Sequence, residues 1–71
     1  MTEQNVKQQV ATLIRETRKA RGLTQKELGE KLGVAKNTVT EYERGEQNLT
    51  IDTLDKIFAA LDKAVFIGLK E

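Results

Sequence analysis

The sequence predicts an all-α domain of four to five helices, and three observations predict it. Apolar residues recur at three- and four-residue steps through most of the chain; Gly22, Gly33 and Gly45 close successive stretches; and 71 residues leave room for one compact core. From Val6 to Arg21 the residues Val6, Val10, Leu13, Ile14 and the half-apolar Thr17 form one stripe, which predicts a first helix ended by Gly22. Thr24-Gln-Lys-Glu27 then has the form of a capping box and opens a second helix, from about Gln25 to Leu32. Leu28 and Leu32 face inward on it, and Gly29 between them permits a close approach.

After the short turn Gly33-Val34-Ala35, Val39 and Tyr42 predict a third helix from about Lys36 to Arg44. Ala35 is a poor cap, so this helix is expected to start late, with Asn37 capping it. A polar loop from Gly45 to Leu49 follows. Thr50 and Asp52 open a fourth helix whose stripe is Ile51, Leu54, Ile57, Phe58 and Leu61. Ala64-Val-Phe-Ile-Gly-Leu69 is β-branched, aromatic and continuous, which reads as a strand. A lone strand needs a neighbour, and the simplest one is the same strand of a second subunit through Val65, Phe66, Ile67 and Leu69. The alternative is that the fourth helix runs on into an apolar tail packed on the monomer. The expected organisation is a flexible arm over residues 1–5, a helical domain over 6–62 and a dimerisation strand over 63–71.

Composition removes whole classes of chemistry. With no cysteine and no histidine, disulfides, the usual zinc ligand sets, thiol nucleophiles and the commonest general base are all missing. No paired acid and base and no phosphate-cradling glycine loop appears, so neither an enzyme nor a cofactor is expected. No apolar run approaches membrane-spanning length and no signal-peptide core precedes residue 6, which leads to a cytoplasmic expectation. The net charge of +1 does not by itself point to a polyanionic partner. Arg15, Arg18, Lys19 and Arg21 cluster against Glu16, whereas Glu41, Glu43 and Glu46 outweigh Lys36 and Arg44 further on.

Two helices joined by a three-residue turn, with Gly29 at the crossing and Val34 and Val39 beneath, fit a DNA-binding helix-turn-helix. The ordered string Gly22-Leu-Thr-Gln-x-x-Leu28-Gly29-x-x-Leu32-Gly33-Val34-x-x-x-Thr38-Val39-x-x-Tyr42-Glu43-Arg44-Gly45 resembles the Cro/cI-type (XRE) regulators of phage and bacteria. With Ile14-Arg-x-x-Arg18 and the fourth helix's stripe, the resemblance covers roughly residues 10 to 62. It implies a lambda-repressor-like fold and a role for individual residues.

Gln25 matches a position that bonds a DNA phosphate and buttresses the recognition helix; Lys36, Asn37, Thr40 and Glu41 match its exposed front. Their chemistry suits base reading: lysine donates to guanine, asparagine pairs with adenine, glutamate accepts from cytosine N4, and Thr40 meets a thymine methyl. The bland alternative for these residues is a solvated helix face. Thr38, Arg44, Gln47 and Asn48 resemble phosphate contacts, which fix register. Arg18 and Glu43 match a buried structural salt bridge. Arg15, Lys19 and Arg21 are divided between phosphate contact and solubility. Two departures, Gly29 for a frequent alanine and Leu49 for a frequent proline, are expected to loosen the chain locally.

The resemblance implies a homodimeric regulator on a near-palindromic double-stranded operator. Among narrower roles it leads first to an antitoxin-like autorepressor with a toxin protein as partner, with restriction–modification controllers and compact phage repressors as rivals. A different class of reading is a protein-interaction module that uses the fold without binding an operator.

Overall fold

The structure, a computed structural model, describes residues 5–71; of the expected arm over residues 1–5, all but Asn5 lies outside the described residues. Four helices follow in order: α1 (Val6–Ala20), α2 (Gln25–Leu32), α3 (Lys36–Tyr42) and α4 (Ile51–Ala60). Asn5 is the N-cap of α1, its side chain accepting from the Gln8 amide at 2.9 Å. That bond satisfies one of the amides that every helix start leaves without an intrahelical partner.

The inward face of α1 differs from the apolar stripe. Ala11, Ile14 and Arg18 are buried, whereas Val6 and Leu13 are 71% and 57% exposed. A small residue and a cation carry two of the three buried positions, so counting large apolar groups rotates the face away from its true direction. The first turn after α1 is closed by Gly22 at φ 73, in the left-handed region that glycine adopts without a Cβ penalty.

The capping box of α2 is complete: Thr24 Oγ1 accepts from the Glu27 amide at 3.0 Å, and the Glu27 carboxylate accepts from the Thr24 amide at 2.8 Å. At its other end Gly33 sits at φ 74, and the Val34 amide reaches back to the Gly29 carbonyl at 2.9 Å. A Cβ on Gly29 would stand 2.8 Å from the Val34 carbonyl oxygen. Gly29 therefore admits the turn's backbone, and the looseness expected of it is instead a tight fit.

α3 begins at Lys36 with Ala35 in the cap position and no side-chain cap, so Asn37 is a helical residue and not the cap. The Ala35 carbonyl accepts from the Thr38 and Val39 amides at 3.0 and 3.4 Å, which starts the helix without help from a side chain. Its stability comes from below, where Val39 is fully buried. α3 ends at Tyr42, two residues before the expected Arg44, in a turn that Gly45 closes at φ 82.

Thr50 caps α4 by accepting from the Thr53 amide at 3.0 Å. Ile57 and Leu61 of its expected stripe are buried, while Ile51 is exposed. The core joins one or two residues from each helix and its flank, Ile14, Leu28, Val39, Ile57 and Leu61, with Val10, Leu23, Leu32, Val34, Tyr42, Leu49 and Phe58 packed around them. No helix among the described residues is long and apolar enough to cross a membrane.

α4 stops at Ala60, and Asp62 takes φ 61, so the helix does not run on into the tail. Residues 63–71 form neither helix nor strand in the single chain. The expected strand lacks a ladder partner here, since among the described residues every regular element is a helix. Val65 is half-buried in a groove with Leu13, Thr17 and Phe58, but Phe66 and Leu69 are 92% and 96% exposed, which removes the reading of a tail packed on the monomer core.

Candidate nucleic-acid interface

α3 has two unlike faces. Val39 is buried, Tyr42 half-buried, and the Glu43 side chain just beyond the helix is 5% exposed. Lys36, Asn37 and Arg44 are exposed, and Thr40 and Glu41 half-buried. Steps of one, three and one residue at 100° each gather Lys36, Asn37, Thr40 and Glu41 within one arc of the helix, and Arg44 follows in the turn beyond it, paired with Glu41. The polar front is thus an open edge on a rod whose back is fixed to the core.

The fixing is polar as well as apolar. Arg18 donates from Nε to Glu43 Oε2 at 2.7 Å and from Nη2 to Oε1 at 3.1 Å, a two-pronged pair, and from Nη1 to the Leu23 carbonyl at 2.8 Å. One guanidinium therefore holds α1, the turn before α2 and the end of α3 together. The Glu43 hydrogen bonds raise the Arg18 pKa above its ordinary value, burial pulls it the other way, and the Glu43 charge adds to the rise.

Gln25, first in α2, extends this network to the front. Its Nε2 donates to Glu43 Oε1 at 3.1 Å, and its Oε1 accepts from the Thr40 hydroxyl at 2.9 Å. The structure thus brings Arg18, Glu43, Gln25 and Thr40 into one chain of hydrogen bonds, which also reaches the Lys36 carbonyl, while the side chains of Lys36 and Asn37 are exposed. Arg44 is paired with Glu41 at 3.2 Å on the exposed side. Thr38 is half-buried on the flank of the arc, and Gln47 and Asn48 are exposed in the loop that follows. Arg21, divided in the sequence between phosphate contact and solubility, is paired with Asp62 just after α4 on an exposed surface.

One positioning residue escapes the sequence. Gln8 of α1 points its Nε2 at the Arg44 and Gly45 carbonyls, 3.4 Å from each, and so backs the turn that ends α3. In the fold Gly45 is buried, and a Cβ there would stand 2.5–2.8 Å from the Gln8 amide group, a proximity that nothing in the sequence displays.

Residues 14–65 match the sequence profile of HTH_3, described as helix-turn-helix. The chain belongs to this family. An HTH-type transcriptional regulator of Methanothermobacter thermautotrophicus, itself uncharacterized, is 42% identical over 52 residues, 73% of this chain and 75% of the relative. Among solved structures, the clp gene regulator ClgR from C. glutamicum superposes with a TM-score of 0.83 at 26% identity, over 90% of this chain and 82% of that one. A chain of the HipA-HipB-O2-O3 complex superposes with a TM-score of 0.78 at 25% identity over the full length of both. This HTH_3 chain is a DNA-binding transcriptional regulator, and its four helices superpose on those of known regulators.

Proposed function

We propose that the protein is a homodimeric repressor of a near-palindromic operator, acting by occupancy with no enzymatic step, in the cytoplasm where that DNA lies. Lys36, Asn37, Thr40 and Glu41 read base edges in the major groove, and Gln25, Thr38, Arg44, Gln47 and Asn48 hold phosphates. The observation that carries the reading is the open polar front of α3 on a back anchored by Val39 and the Arg18–Glu43 pair.

Dimerisation is supported by the tail, where Phe66, Ile67 and Leu69 expose apolar surface and Phe66 shares a groove with the exposed Leu13. Pairing of residues 64–69 with the same segment of a second copy supplies the missing ladder and covers that surface. Two subunits set the recognition helices about one helical turn apart. If each holds about four phosphates, the log of affinity falls against the log of salt with a slope of about −7. Sedimentation of the free protein and salt-dependent gel shifts on genomic fragments test both parts; a monomer that binds no fragment at low salt contradicts them.

The narrower role of an antitoxin-like autorepressor is favoured by one finding, the full-length likeness to a chain of a complex that holds HipA with HipB. Co-purification of a second protein with the native chain and its DNA tests it. The glutamates in and after α3 favour the competing reading, a module that binds only proteins. Glu43 is engaged by Arg18 and Glu41 by Arg44, so the front of α3 is less acidic than its residue count.

A further inference from the structure

Thr40 has one hydroxyl proton and two protein acceptors beside it. Gln25 Oε1 lies at 2.9 Å and the Lys36 carbonyl oxygen at 3.2 Å. The direction of the first bond is fixed by chemistry two residues away along the network. The ionised carboxylate of Glu43 can only accept, so the amide end of Gln25 that faces it is the NH2 end, and the end that faces Thr40 is the carbonyl. A carbonyl can only accept as well, which obliges Thr40 to donate. Whichever of its two neighbours takes the proton at a given moment, that proton is held within the protein.

A hydroxyl free in solution offers both a donor and an acceptor and so tells little between bases. Thr40 lies half-buried in the front arc between Lys36 and Glu41, and with its proton committed inside it has only lone pairs and a methyl group left to offer a partner. We infer that Thr40 is a specificity-determining residue that reads an exocyclic amine, adenine N6 or cytosine N4, as an obligate hydrogen-bond acceptor, with Gln25 and Glu43 as the positioning residues that set its polarity. The inference rests on the reading of α3 as the base-contacting helix. It also replaces the thymine-methyl contact, because thymine and guanine turn a carbonyl oxygen toward the same place in the groove and two acceptors repel.

Selection of binding sites from a random duplex library by the full-length protein, Thr40→Val and Thr40→Ser tests it. The valine keeps the shape and a methyl group but removes the lone pairs; the serine keeps the hydroxyl and removes the methyl. The wild type and Thr40→Ser are expected to favour adenine or cytosine over guanine and thymine at one position of each half-site. Thr40→Val, shown by its thermal unfolding to be folded, is expected to lose roughly three- to tenfold of that preference, the worth of one neutral hydrogen bond, while its preferences elsewhere in the site persist. A duplex lacking that one exocyclic amine is expected to weaken the wild type by the same factor and Thr40→Val not at all. A thymine preference that survives in Thr40→Val, or preferences identical in all three proteins, overturns the inference while leaving operator binding intact. Failure of the wild type to enrich any sequence overturns operator binding and this inference together.

Discussion

Arg18 and Glu43 stand 25 positions apart in the chain and meet through two parallel hydrogen bonds of 2.7 and 3.1 Å, with their side chains 10% and 5% exposed. The pair joins the first helix to the end of the recognition helix, and removing one member leaves the other charged and poorly solvated. Arg18→Met is therefore expected to lower the unfolding free energy by about 3–5 kcal/mol, measured by urea denaturation. Arg18→Lys keeps the charge but loses the fork and should fall between the two. A loss under about 1 kcal/mol for Arg18→Met, the range of exposed pairs, would contradict the burial argument.

The same pair makes a statement about pH. The folded-state pKa of Arg18 is raised, so its stabilisation is fully present below the unfolded guanidinium value and is lost only as pH climbs through the still higher folded value. The stability difference between the wild type and Arg18→Met should accordingly stay constant from about pH 7 to pH 10. A difference that shrinks across that window is the contrary result.

Two left-handed glycines separate conformational strain from crowding. Gly33, at φ 74 with nothing within 4 Å of a built Cβ, should lose about 1–2 kcal/mol on substitution by alanine, the cost of the left-handed backbone alone. Gly45, at φ 82, adds displacement of the flexible end of Gln8 and loss of its 3.4 Å bonds to the Arg44 and Gly45 carbonyls, so Gly45→Ala should cost slightly more than Gly33→Ala. In the Gln8→Ala background the excess should disappear while the strain persists, and a double-mutant cycle by thermal unfolding reads the difference.

Ala35 has the extended backbone of an N-cap and no side-chain bond to offer. Ala35→Ser is expected to stabilise the protein by about 1 kcal/mol, by supplying an acceptor to the first turn of α3. No gain in the thermal midpoint would mean that the packing of Val39 already fixes that turn completely.

What the sequence made legible was local. The capping box of Thr24 and Glu27 and the glycine stop at position 33 are fixed by neighbours within a few residues, and both ends of α2 fall where those signals put them. The face of α1 departs from the apolar stripe because Arg18 and Ala11 are buried there, Arg18 for a partner 25 positions away and Ala11 as a residue too small to weigh in an apolar pattern. The late start expected for α3 failed because Val39 packing outweighs a missing cap. Gln8 behind Gly45, and Gln25 joining Thr40 to Glu43, are contacts across 15 to 37 positions that no local pattern encodes. The tail carries strand chemistry, yet a ladder depends on a second strand, which a single chain of helices does not provide.

On the proposed reading, the exposed front of α3 reads DNA while its back only holds it in place. Asn37 tests this most directly, being exposed, helical and outside the Arg18–Glu43–Gln25–Thr40 network. The measurement is the affinity of the wild type and Asn37→Ala for a duplex selected by the wild type and for an unrelated duplex, at one salt concentration. Asn37→Ala is expected to weaken the selected duplex by about 1–3 kcal/mol, to leave the unrelated duplex unchanged, and to alter unfolding stability by less than about 0.5 kcal/mol. Equal affinity of both proteins for the selected duplex, with stability intact, would contradict it.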